Sequence, residues 1–175
     1  YYGGHLAASH LLQLGHKRVG CITGNIDLSE CQERTTGFTD AFAENHLPFS
    51  DDWIVNASFT MEAGYKNTQR LLDQQVTAIF AQNDMIALGV LHYLKEKKLR
   101  VPEDISVVGF DNIPFISMVD LPLTTIAQPM ELMGEKALDI LLSHPLLGDS
   151  TDRITITLQP ELVVRSSTGE PGQRP

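Results

Sequence analysis

Five residues of this chain have types and positions suited to holding a small polar molecule: Arg34, Phe59, Asn83, Asp111 and Gln128. Four of them come just after short apolar, strand-like runs, at Ser58-Phe59-Thr60, Asn83-Asp84, Asp111-Asn112 and Gln128. Arg34 lies ten residues beyond Gly24, in the first turn or so of the helix that follows the first strand. Open parallel sheets bind ligands outside the carboxyl ends of their strands, so residues in these positions converge on one rim. A guanidinium and a carboxylate address paired hydroxyls, amides both donate and accept, and an aromatic face receives the C–H side of a ring. That is the chemistry of a polyhydroxylated ligand, a sugar above all. Each residue also has a plainer use: an Asp or Asn after a strand serves as a turn former or helix N-cap, the use that Asp84 suits best. Arg34 equally fits an exposed helix face, and Phe59 a core.

Covalent and metal chemistry find no comparable pattern. The six histidines (His5, His10, His16, His46, His92, His144) show no HExxH or other zinc spacing, and the chain has no GxSxG elbow, Walker lysine loop or GxGxxG. Cys21 and Cys31 lack CxxC spacing, which fits a reducing compartment. The expected activity is binding rather than catalysis, with no cofactor and no metal.

The elements that must position these residues alternate. Helical spacing covers 4–14, ended by Gly15 in a left-handed cap, then 33–45, a helix opened by the N-cap Thr60, and a helix beginning at Asp84 with Ala87, Leu91 and Leu94 on one stripe. Strand-like runs fall at 18–23, 53–55, 78–81 and 105–110. This order predicts an α/β fold of parallel βαβ units with right-handed crossovers. After Pro122 come an extended piece at 124–126, an apolar helix at 132–142, and β-prone pieces at 154–158 and 162–164. The polar, Pro/Gly-rich residues 166–175 read as a flexible tail.

The 175 residues, 42% hydrophobic and 20% charged, suffice for one domain with a sizeable core. A net charge of −9 repels a phosphate backbone, so the chain alone is expected to bind DNA poorly. No apolar stretch reaches the eighteen residues of a membrane span, and no signal-peptide pattern is present. The chain opens on Tyr1-Tyr2-Gly3-Gly4 without an initiating Met and is expected to be a fragment of something longer.

Five motifs together resemble one family. They are Ala7-Ala-Ser-His-Leu-Leu-Gln-Leu-Gly-His-Lys-Arg-Val19, Arg34-Thr-Thr-Gly-Phe38, Thr77-Ala-Ile-Phe-Ala-Gln-Asn-Asp84, Val101-Pro-Glu-Asp-Ile-Ser-Val-Val-Gly-Phe-Asp111 and Pro122-Leu-Thr-Thr-Ile-Ala-Gln128, with a closing Leu162-Val-Val-Arg-Ser-Ser-Thr168. In order and spacing these look like the effector-binding core of the lactose/galactose repressor (LacI/GalR) family of bacterial transcription regulators. The resemblance implies a type I periplasmic-binding-protein-like fold, of which this chain is mainly the C-terminal lobe (1–165). Residues 129–147 would form a crossover helix belonging to the missing N-terminal lobe, and the helix-turn-helix headpiece would lie outside the chain. It further implies a small-molecule effector (a pentose, a hexose or a related molecule, less readily a purine) bound by Arg34, Phe59, Asn83, Asp111 and Gln128. It implies a cytoplasmic homodimer joined through Ile86, Val90, Phe115, Ile116, Met118 and Val119, which meets operator DNA only through the headpiece, and no membrane partner. The alternative with the same fold is a periplasmic sugar-binding receptor of a transport system.

Overall fold

The computed structural model describes residues 1–117, 120–143 and 154–172. Its centre is a sheet built from apolar runs: β1 (Val19–Thr23), β2 (Ile54–Asn56), β3 (Ala78–Ala81), β4 (Ser106–Asp111), β5 (Thr124–Ala127) and β6 (Glu161–Val163). The order is β2-β1-β3-β4-β5-β6, with the first five mutually parallel and β6 antiparallel at the edge. β1 and β3 are buried at every position, as a sheet covered on both faces requires.

Side chains alternate between two layers. Val19, Cys21, Ala78, Phe80, Val108 and Phe110 face a cluster completed by α1 (Tyr2–Gln13) and α2 (Ser29–Glu44). Ile22, Ile79, Ala81 and Val107 face the opposite cluster, completed by α3 (Met61–Asp73) and α4 (Asp84–Glu96). Each helix pair touches backbone to backbone: a Cβ on Gly4 would lie 1.9 Å from the Arg34 carbonyl oxygen, and one on Gly89 would lie 2.0 Å from that of Met61. A fifth helix, α5 (Met130–Ser143), has no buried residue. None of the helices is long and apolar enough to cross a membrane, among the described residues.

Local chemistry sets the boundaries. Gly15 takes φ +95° after α1, where the backbone N–H of His16 reaches the Leu11 carbonyl at 3.1 Å, a Schellman closure. His46 and Lys98 close α2 and α4 in the same left-handed way, with Leu47 bonding to Phe42 and Leu99 to Leu94. Thr60 caps α3 by accepting from the Ala63 N–H at 3.2 Å. At α4 the cap is Asn83, whose Oδ1 accepts from the Ile86 N–H at 2.8 Å, and not Asp84 as the sequence suggests. The β-prone piece 154–158 carries no regular structure, and the edge of β5 is occupied by β6.

Residues 166–172 are not a loose tail. They run across the sheet at the end opposite the strand tips. The Val107 N–H donates to the Ser167 carbonyl at 2.8 Å, and the buried Ser167 hydroxyl donates to the Val107 carbonyl at 2.6 Å while accepting from the Thr124 N–H. Composition suggested flexibility, but small hydroxylated residues also satisfy backbone groups that a sheet end leaves open. Residues 173–175 lie outside the described residues.

The buried His16 fastens this strap. Its Nε2 donates to the Gly169 carbonyl at 2.9 Å, so the neutral ring accepts at Nδ1 from the Thr77 hydroxyl at 2.8 Å. Burial holds the His16 pKa below its ordinary value, and burial does the same for His10, which bonds Thr168 at 3.0 Å. A histidine whose folded pKa is depressed adds stability above the unfolded pKa of about 6.5, and that stability is lost as pH falls below it. The melting temperature should therefore drop between pH 7 and pH 5, and a thermal melt of His16→Gln should show a shallower drop over the same range.

Candidate functional site

The crossovers put the tips of the five parallel strands on one side. Thr23, Asn56, Gln82-Asn83, Asp111 and Gln128 end or follow five neighbouring parallel strands, and the first turns of α2 and α4 rise beside them. A cleft of about 180 Å³ there is lined by Glu30, Arg34, Phe59, Asn83 and Asp111. Four of the five residues expected from the sequence therefore share one cavity wall. The fifth, Gln128, is tied to it, its Nε2 donating to Asp111 Oδ1 at 2.6 Å. A larger adjoining cleft of about 420 Å³ holds Gln128 and the other side of Arg34, together with Phe110 and Met133.

Each side chain is held in place. The Arg34 guanidinium lies 3.8 Å above the Phe110 ring, and its Nη1 donates to the Gln82 carbonyl at 2.7 Å. Burial lowers its pKa, while the charge of Asp111 acts to raise it. The Phe59 ring rests on Gly24, where a Cβ would come within 2.3 Å of it, so only glycine admits this pose. Asn83 spends its Oδ1 on the α4 cap, so its remaining capacity toward a ligand is the Nδ2 donors. Burial raises the Asp111 pKa, against the opposing pull of the Gln128 hydrogen bond and the Arg34 charge. The cleft thus combines one cation, two carboxylates, amide donors and an aromatic face.

Three contributors escaped the sequence reading. Glu30 follows no strand; it stands one turn before Arg34 on α2, and only that helical spacing could have pointed to it. Gln82 is fully buried behind Arg34, its Nε2 donating to Thr35 Oγ1 at 2.8 Å, and its Oε1 has no partner among the described residues. Asp84 is also fully buried, beneath the cleft rather than in it. Among the described residues no three His, Cys, Asp or Glu side chains gather as a metal site would need.

The residues expected to join two protomers divide differently. Ile86, Val90 and Ile116 are fully buried in one core cluster of their own chain, so they cannot line an interface and are corrected to core positions. On α4 the i, i+4 pair Ile86 and Val90 forms the inward stripe. In the short 3-10 helix at Pro114–Ser117, Ile116 roots the segment in that core while Phe115 is 61% exposed. Met118 and Val119 lie outside the described residues.

A family model for the periplasmic binding protein-like domain matches residues 8–168. The chain is 40% identical over 169 residues to the HTH-type transcriptional repressor PurR of Aliivibrio fischeri, an alignment covering 94% of this chain and 50% of that protein. The chain spans about half the length of the curated relatives it matches. Its fold superposes with a TM-score of 0.85 on a LacI family transcriptional regulator from Enterococcus faecium with bound ribose, at 32% identity over 96% of this chain and 62% of the other. A transcriptional regulator CelR–cellobiose complex gives a TM-score of 0.87 at 32% identity, over 94% and 51%. With a mostly parallel sheet, helices on both faces and LacI-family repressors among its relatives, the chain belongs to the periplasmic binding protein-like domain family.

Proposed function

We propose that this chain is the C-terminal, effector-sensing lobe of a LacI-family transcriptional repressor, which binds a small neutral molecule at its strand tips and transmits that binding to operator DNA through parts outside the chain. The observation that carries the reading is the cleft itself: Arg34, Phe59, Asn83 and Asp111 come from four segments far apart in sequence and meet on one wall, with Gln128 bonded to the last. The repressor reading implies that the ligand leaves unchanged, as a regulator requires. Relatives named as repressors weigh against the transport-receptor alternative, and a cytoplasmic location follows from the repressor reading.

Two carboxylates, Glu30 and Asp111, stand against one guanidinium, which disfavours phosphorylated or otherwise anionic ligands. A pentose, a hexose or a disaccharide fits the polar set, and related structures are described with ribose and with cellobiose. A purine base can also stack on Phe59. The exposed α5 helix, with Met133 47% and Leu142 71% accessible, supports a second lobe that covers it and closes the cleft from the other side.

The test uses the intact protein. Calorimetric titration with D-ribose, cellobiose and hypoxanthine, paired with a gel shift on the DNA upstream of its own gene, should find a ligand that changes DNA retardation and is recovered unaltered. Turnover of such a ligand, or retardation that no ligand in a wider panel of sugars and bases alters, would overturn the reading.

A further inference from the structure

We propose that Asp84 is a positioning residue: its carboxylate holds the Asp111–Asn112 turn in the one pose that presents Asp111 to the ligand cleft. The proposal rests on the reading of Asp111 as a ligand contact. Asp111 has φ +110° and Asn112 φ +58°, two consecutive non-glycine residues in a region that L side chains avoid. Such a turn persists only where its surroundings over-determine it.

Asp84 supplies that restraint from below. One carboxylate oxygen, Oδ2, accepts the Ile113 N–H at 2.9 Å, and the nearby Asn112 amide weakly favours the charged carboxylate. The other oxygen, Oδ1, accepts the Thr125 hydroxyl of β5 at 2.7 Å. From above, Asn112 Oδ1 accepts Arg165 Nη2 at 2.7 Å. The turn is thus clamped between α4, β5 and the segment after β6. Gly109 makes the room, since a Cβ there would lie 2.3 Å from Asp84 Oδ1.

The placement is costly for the fold, which argues that it serves the site. Asp84 is fully buried and makes no ion pair among the described residues. Burial, with the nearby Asp111 charge adding to it, pushes its carboxyl up to about 6, against the hydrogen bonds from Thr125 and Ile113 and the weaker pull of the Asn112 amide. A helix N-terminus already capped by Asn83 does not require a second acceptor at this position. What Asp84 adds is a tie between the Ile113 amide, at the end of the turn that holds Asp111, and the Thr125 hydroxyl of β5.

Hydrogen exchange on the intact, ligand-free protein tests this directly. In Asp84→Ala the Ile113 amide should exchange at least tenfold faster than in wild type, while those of Phe80 and Val108 stay within twofold. Asp84→Asn, which can accept from that amide and donate to Thr125, should restore the protection. If Asp84→Ala does not fold, Thr125→Val removes one anchor of the carboxylate and should release the same amide several-fold. Unchanged exchange at Ile113 in whichever of these variants folds overturns the proposal, as does a failure of Asp84→Asn to restore it. Titration of Asp111→Ala with D-ribose, cellobiose and hypoxanthine separates the two readings. Faster exchange in Asp84→Ala, together with undiminished binding by Asp111→Ala, upholds the positioning and sinks the ligand contact.

Discussion

Asp111→Ala should weaken effector binding by the intact protein about 30- to 900-fold, which corresponds to about 2 to 4 kcal/mol. The magnitude follows from what the carboxylate does. It is the acceptor for Gln128 Nε2 and the opposite charge that does most to keep Arg34 ionised, so truncation removes a charge-assisted bond to the ligand and leaves the half-buried Gln128 amide without this acceptor. Arg34→Ala should cost a similar amount, and the double variant less than the sum, because the two side chains compensate one another in the same cleft. The pH profile carries a sign as well. Burial raises the Asp111 pKa, so affinity in the wild type should begin to fall at a pH above the usual carboxylate range as the acceptor takes up a proton. Calorimetry across pH 4.5 to 8 measures both effects, and an Asp111→Ala variant that binds like wild type would remove the residue from the site.

Why the strand tips were legible and other features were not is a matter of range. Asn83 and Asp111 end apolar runs whose burial is written in consecutive residues, and the parallel topology then places all such ends on one side. The choice between Asn83 and Asp84 as cap is not local. Either type can cap a helix, but Asp84 is drawn inward by Thr125, 41 residues away, and by Ile113, 29 residues away. The C-terminal strap misleads for the same reason, since Ser167 looks mobile until its partner Val107, 60 residues distant, is in place. Glu30 was invisible because an acidic residue in the first turn of a helix already has a sufficient reason in the helix dipole. The assignment of Ile86 and Val90 to an interface failed on periodicity alone. With Leu94 they recur at every fourth residue and so describe the stripe that faces the core.

Phe115→Glu combined with Met85→Glu should convert the intact protein from dimer to monomer at micromolar concentration. The dimer is our proposal, and what supports it is the surface that remains after the core residues are set aside. Phe115 is 61% exposed on a turn rooted by the buried Ile116, and Met85, at the start of α4, is 37% exposed. The same chain also carries an apolar groove of about 540 Å³ between Leu88, Leu91, Leu99 and Leu121, with the Lys95–Asp120 ion pair at 3.0 Å in its lining. An exposed aromatic on one copy and an apolar groove on the other suit a two-fold contact in which each copy inserts its ring into its partner. An aromatic anchor in such a contact is worth about 2 kcal/mol or more, and burying a glutamate there adds a desolvation cost, so two substitutions counted twice by symmetry exceed what a micromolar dimer can absorb. Both side chains are exposed in the single chain, so the variant should melt within a few degrees of wild type. Light scattering decides the matter: a folded variant with undiminished mass places the interface elsewhere.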